Sequence, residues 1–137
     1  MGKKFFEEIE LFLFDMDGLL FDTETIYVGY GREVAKKMGY TITKDIVEKT
    51  TGVTDDKARI LFKESLGQEF PYDEMMGTVK DHILELAKKS EVPLKPGASE
   101  LLEFLRENNK EMILATSSDL FMAEALINGK DLKKYFS

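Results

Sequence analysis

The 137-residue chain contains no cysteine. That absence excludes disulfides, thiolate zinc sites and a cysteine nucleophile. A single histidine, His82, excludes a multi-histidine metal centre and leaves little room for a Ser-His-Asp triad. Positive charge is also scarce. Lys and Arg number 19 against 26 Asp and Glu, for a net charge of −7 and a pI near 4.8. Phosphate backbones require clustered cations, so nucleic acid is not an expected partner. No apolar run is long enough to span a bilayer, and no membrane association is expected. The opening Met1-Gly2-Lys3-Lys4 is basic, but Glu7, Glu8 and Glu10 follow at once and break a signal-peptide pattern. Myristoylation of Gly2 fails because Phe6 stands where Ser or Thr is needed. A cytoplasmic location is the expectation.

What is present reads as a folded domain: 43% hydrophobic and 33% charged residues. A chain of this size buries roughly two-thirds of its unfolded surface, enough for a core. Residues 9–14, Ile-Glu-Leu-Phe-Leu-Phe, form a short apolar run without helical spacing, as expected of a strand buried on both faces. A second such run occupies 111–116. The helical pattern of Leu101, Leu102 and Leu105 precedes it, and Ser117, Ser118 and Asp119 come after it. Helix, strand, polar loop and helix in that order predict an α/β fold.

The chain between these runs predicts helices. One spans about 23–38 and is closed by Gly39. A second covers 44–50. A third starts at the cap residue Thr54, with Asp55 and Asp56 in its first turn, and stops near Gly67. A fourth covers 72–90, with Val79, Ile83, Leu84, Leu86 and Ala87 inward. Pro93 and Pro96-Gly97 then break the pattern. The domain reading is therefore an α/β core at 1–22 and 93–137, interrupted by an all-helical cap at 23–92. His82 reads as a surface residue, Phe5-Phe6 as packing at the start of a strand, and Tyr27 and Met38 as packing within the cap.

The most informative segment is Phe12-Leu13-Phe14-Asp15-Met16-Asp17-Gly18-Leu19-Leu20-Phe21-Asp22-Thr23-Glu24. A carboxylate at the C-terminal end of a buried parallel strand sits in the crevice where open α/β sheets bind ligands. The loop beyond it has backbone N–H groups that can cradle an anion. Asp15 and Asp17 are two residues apart and can flank one site, provided a cation or shared proton relieves their repulsion. Mg²⁺ suits such a place, since it takes one or two carboxylates together with a substrate phosphate. One Asp can then attack phosphorus while the other gives a proton to the leaving oxygen. Asp22 reads either as a helix cap or as a shaper of this loop.

The same segment resembles motif one of the haloacid dehalogenase (HAD) superfamily, in its phosphatase and β-phosphoglucomutase-like branch. Ile113-Leu114-Ala115-Thr116-Ser117-Ser118 resembles motif two, and Lys95-Pro96-Gly97 resembles the re-entry from the cap. The resemblance implies a partial HAD-like Rossmann core, holding its first two parallel strands, with an inserted helical cap that closes over the site. It implies that Asp15 is the nucleophile forming an aspartyl-phosphate and that Asp17 is the general acid/base. It further implies Thr116 and Ser117 as phosphate-binding residues, Mg²⁺ as cofactor held by Asp15 and the backbone carbonyl of Asp17, and a small phosphorylated metabolite as substrate.

The family's motif-three Lys and motif-four acidic pair would fall after Ser137, and Lys130, Lys133 and Lys134 do not follow a strand as that Lys should. The isolated chain is accordingly expected to be a truncated or proteolytic fragment, inactive alone, with unpaired strand edges open to self-association or to a complementing C-terminal segment. A non-catalytic fragment that binds phosphate or a partner is the alternative. A sugar-phosphate mutase is the least favoured reading. Asp55 and Asp56 stand where that branch has a basic cap residue, and Tyr27 stands at its early cap histidine.

Overall fold

The computed structural model describes residues 2–137. Along the chain run α1 (Gly2–Glu8), β1 (Leu11–Phe14), α2 (Thr23–Lys37), α3 (Lys44–Thr50), α4 (Asp55–Leu66), α5 (Tyr72–Lys88), α6 (Ala98–Glu107), β2 (Glu111–Leu114) and α7 (Leu120–Gly129), with a 3-10 turn at Lys133–Tyr135. The fold is α/β. It divides into two units, residues 2–24 with 84–137, and residues 25–83.

The unit at 25–83 is helical, and the Thr54 cap and the Gly39 and Gly67 stops stand where the sequence reading put them, with Thr43 an added cap. The hydroxyl of Thr43 accepts the Ile46 N–H at the start of α3, and Thr54 accepts the Lys57 N–H at the start of α4, each at 3.3 Å. Gly39 and Gly67 end their helices at positive φ, +90° and +110°, where a Cβ would be strained. Phe62, Phe70 and Tyr72 meet in an aromatic cluster, with ring centroids 5.7 Å and 5.3 Å from Phe62. Tyr72 is buried and donates its hydroxyl to Asp55 at 2.9 Å. Burial and that acceptor together push the phenol well above its ordinary value. His82 departs from the surface reading. It is half-buried, and its ring stacks on Tyr30 with centroids 3.9 Å apart.

The other unit is built on a two-stranded parallel sheet, with Leu11, Phe12, Leu13 and Phe14 in register with Glu111, Met112, Ile113 and Leu114. Phe14 and Met112 are buried, whereas Leu11 is 44% and Leu13 66% exposed. The expectation of a strand covered on both faces is thus corrected. Among the described residues, apolar groups cover the Phe12 and Phe14 face, and the alternate face carrying Leu11 and Leu13 is open. Phe6 packs on Phe12 and on Phe104 of α6, and Phe136 sets its edge on Phe14.

Two further expectations change here. Phe5 and Phe6 lie in a helix, α1, and not at a strand start. The Lys110 ammonium holds that helix's end, donating to the carbonyls of Ile9 at 2.6 Å and Glu7 at 3.3 Å, above the Phe6 ring. The outer edge of β2 is also not bare, because Ser137 N–H donates to the Met112 carbonyl at 3.0 Å. Among the described residues no strand pairs with the outer edge of β1.

Candidate active site

The two parallel strands end side by side. The Ala115 N–H donates to the Phe14 carbonyl at 2.7 Å, extending the ladder one residue past β2. Asp15 and Thr116 therefore leave the sheet at the same end, the carboxyl end where open α/β sheets place ligands. Asp15 is exposed. Its Oδ1 accepts its neighbour's Met16 N–H at 2.8 Å, and Oδ2 has no partner among the described residues.

Residues 16–21 form a closed loop. The Met16 carbonyl accepts both the Leu20 and Phe21 N–H groups, at 3.0 and 3.1 Å, and Gly18 N–H returns to the Phe21 carbonyl at 2.9 Å. Gly18 makes this turn at φ +75°, a conformation that costs other residues. Met16, Leu20 and Phe21 are 0–1% exposed and act as anchors. Each such side chain contributes roughly 1.5–3 kcal/mol through burial. Phe21 bridges Leu94 in antiparallel fashion, with Asp22 N–H to Pro93 O at 2.9 Å and Lys95 N–H to Leu20 O at 2.8 Å. The Lys95 ammonium lies 3.7 Å from the Asp22 carboxylate. Packing and backbone bonds thus hold the aspartate-bearing loop from beneath.

The structure joins Asp17 to two residues to which the sequence assigned no role there. Thr23, the buried polar residue at the start of α2, donates its hydroxyl to Asp17 Oδ1 at 3.0 Å. Ser118 donates its hydroxyl to Asp17 Oδ2 at 2.5 Å. Ser118 also gives its backbone N–H to Thr116 Oγ1 at 3.1 Å. Asp17, Thr116 and Ser118 therefore form one connected group. Ser117 lies exposed beside them with no hydrogen bond of its own among the described residues. No local pattern announces the Ser118 contact, which spans 101 residues. The Thr23 contact had a weak signal, a hydroxyl six residues on at a helix start.

The donor set is all oxygen. Asp15 offers a free carboxylate oxygen, and the Asp17 carbonyl accepts none of the loop's backbone bonds, while hydroxyls occupy both Asp17 carboxylate oxygens. Among the described residues no group of three or more His, Cys, Asp or Glu side chains is placed to hold a metal ion. Two hard oxygen donors suit Mg²⁺, which takes one or two carboxylates together with a substrate phosphate, and do not suit a dedicated protein cage. No helix among the described residues is long and apolar enough to cross a membrane.

Comparison with known proteins sets this geometry in context. The profile of the haloacid dehalogenase-like hydrolases matches residues 12–137. A phosphorylated carbohydrates phosphatase of Thermotoga maritima is 31% identical over 132 residues, covering 93% of this chain and 59% of the relative. A Thermotoga maritima crystal structure described as a candidate β-phosphoglucomutase is also 31% identical, with a TM-score of 0.69 over 94% of this chain and 59% of that one. CbbY from Rhodobacter sphaeroides, solved with phosphate, shares the fold at 22% identity and a TM-score of 0.68, over 93% of this chain and 61% of its own. The chain spans about three-fifths of the length of these relatives. The expected α/β fold, a part of the HAD-like architecture, is borne out.

Proposed function

The chain belongs to the haloacid dehalogenase-like hydrolase family, and on that premise we propose that it carries the nucleophile of a Mg²⁺-dependent phosphatase acting on a small phosphomonoester. One observation carries the reading. The Asp15 carboxylate stands exposed at the carboxyl end of β1, on the neighbouring strand to Thr116 and two residues before an Asp17 held by hydroxyls.

In this reading one oxygen of the Asp15 carboxylate attacks phosphorus while the bond to the leaving oxygen breaks. Asp17, protonated for this step, gives its proton to that oxygen, which leaves as an alcohol. Asp17 then takes a proton from water as the water oxygen attacks the aspartyl-phosphate. The bond from phosphorus to Asp15 breaks, and inorganic phosphate and the Asp15 carboxylate are restored. Such a positioned acid/base contributes on the order of 10²–10⁴-fold. The Thr116 hydroxyl and the Ser117 backbone N–H donate to the transferring phosphoryl oxygens. The Asp15 carboxylate and the Asp17 carbonyl would hold Mg²⁺, which when bound would neutralise the negative charge that gathers there.

The helical unit favours a phosphatase over a sugar-phosphate mutase. Arg59, on the helix that Thr54 caps, is held by Asp55, Asp56 and Asp73 at 3.2, 2.7 and 2.9 Å. Three carboxylates against one guanidinium leave that cluster net negative, a poor setting for a second phosphate. A second reading, a partner-binding piece without turnover, rests on the open Leu11 and Leu13 face and on the outer edge of β1, with a second copy of the chain as occupant.

Hydrolysis of p-nitrophenyl phosphate, with and without Mg²⁺, tests the proposal. The assay is run on the protein at the full length of its relatives, of which this chain spans about three-fifths, and the expected result is Mg²⁺-dependent turnover that falls to background in Asp15→Asn. Retained turnover in that variant removes Asp15 from the role. Absent turnover, together with concentration-dependent dimerisation in light scattering, selects the second reading.

A further inference from the structure

We infer that Ser118 is a positioning residue that aims the Asp17 carboxylate and at the same time orients the Thr116 hydroxyl, coupling acid/base and phosphate contact through one side chain and one backbone N–H. The inference rests on the phosphatase reading for its catalytic consequence, but its structural content stands apart from that reading.

The two bonds of Ser118 are different in kind. The hydroxyl reaches Asp17 Oδ2 at 2.5 Å, at the short end of the range for an O–H donor on a carboxylate. The backbone N–H reaches Thr116 Oγ1 at 3.1 Å. Thr116 Oγ1 is thereby used as an acceptor, which leaves its own O–H free to point at a ligand. Asp17 Oδ1 is held from the opposite side by the Thr23 hydroxyl, itself buried and set at the start of α2. Ser118 supplies the second point of a two-point clamp that fixes the carboxylate plane. Asp119 steadies Ser118 in turn, since its side chain accepts the Met122 N–H at 2.9 Å and pins the loop to the first turn of α7.

This division of labour predicts a split that a general structural role would not produce. Ser118→Ala removes the hydroxyl bond to Asp17 but keeps the N–H bond to Thr116. Phosphate binding should then persist, while the acid/base loses its aim. With p-nitrophenyl phosphate, kcat should fall about 10- to 100-fold, part of the 10²–10⁴-fold that a positioned acid/base supplies. KM and inhibition by inorganic phosphate should stay within about 3-fold, so the loss falls on the chemical step. Ser118→Thr restores a hydroxyl and should restore most of kcat, and Ser99→Ala, a hydroxyl on α6 outside the site, should leave both constants unchanged.

A second arm needs no turnover. Three-bond Hα–Hβ couplings of Asp17, measured by NMR on the full chain, should report a single rotamer in the wild type, averaging in Ser118→Ala, and a single rotamer again in Ser118→Thr. Ser118→Cys, a weak donor of similar size, should give intermediate averaging and serves if the alanine variant does not fold. Absence of turnover in every protein would sink the phosphatase reading while leaving this arm to decide the clamp. An unchanged Asp17 rotamer in Ser118→Ala, or a KM that rises as much as kcat falls, overturns the inference.

Discussion

Substituting Gly18 by alanine should strike the aspartate loop in a way that separates backbone strain from crowding. Gly18 holds φ at +75°, and a Cβ built there would lie 2.5 Å from Glu24 Oε1 and 3.0 Å from its Cδ. The crowding partner is the far end of a flexible side chain, which can swing aside for about 0.5–1.5 kcal/mol. The left-handed backbone cannot be relieved so cheaply, because Gly18 N–H is bonded to Phe21 O and the loop is anchored by buried Met16, Leu20 and Phe21. That conformation costs an L-residue about 1–2 kcal/mol. Gly18→Ala should therefore lose about 1.5–3.5 kcal/mol, the two contributions together. Urea unfolding reads this as a lower midpoint at an unchanged slope. In Gly18→Ala/Glu24→Ala the crowding is gone, and only the smaller part should return. Gly18→Asn, whose side chain tolerates the left-handed region, should lose less than alanine. Full recovery in the double variant would refute the backbone argument, and so would an alanine variant within about 0.5 kcal/mol of wild type, the scatter expected of a neutral site.

Gly129 poses a harder contact, because a Cβ there would press on the Ala87 carbonyl, a backbone atom that cannot swing away, beside the Ser90 hydroxyl that bonds Gly129 O. Gly129→Ala should lose about 1–3 kcal/mol by overpacking, measured by the same urea titration, and Ser90→Ala should not rescue it. Glu103 accepts the Tyr135 hydroxyl at 2.6 Å and pairs with Arg106, and the two hold its carboxyl below the ordinary 4.5. Its folded value is depressed, so its contribution is complete above about pH 4.5 and is lost as pH falls through the lower folded value. Glu103→Gln should consequently narrow the gap between urea midpoints at neutral pH and below pH 4, and an unchanged gap would show that the pair is not linked to folding.

How far the sequence reached can be judged residue by residue. Cap chemistry was legible because it is local: Thr54, Gly39 and Gly67 act within one turn of where they stand. The parallel strands were legible too, as apolar runs without helical spacing. The helix α1 was not. Its Lys3 and Lys4 stand in the first turn and Glu7 and Glu8 in the last, against the helix dipole. What holds it lies far along the chain, in Phe104 and Lys110. The exposure of Leu11 and Leu13 was likewise hidden, since an apolar strand reads the same whether or not anything covers its second face.

By itself, the order of residues determined that an aspartate pair follows one apolar run and a Thr-Ser-Ser follows another, and that nothing else in the chain offers cysteine or paired histidine chemistry. Strand propensity and turn residues are short-range properties, and they needed no partner to be read. Only the tertiary structure decided the register in which the two parallel runs pair, that Ser118 closes on Asp17 across 101 residues, and that Thr23 turns its hydroxyl inward to meet the same carboxylate. Those contacts depend on directions set by packing in three dimensions, and a hydroxyl's aim cannot be read from its place in a string.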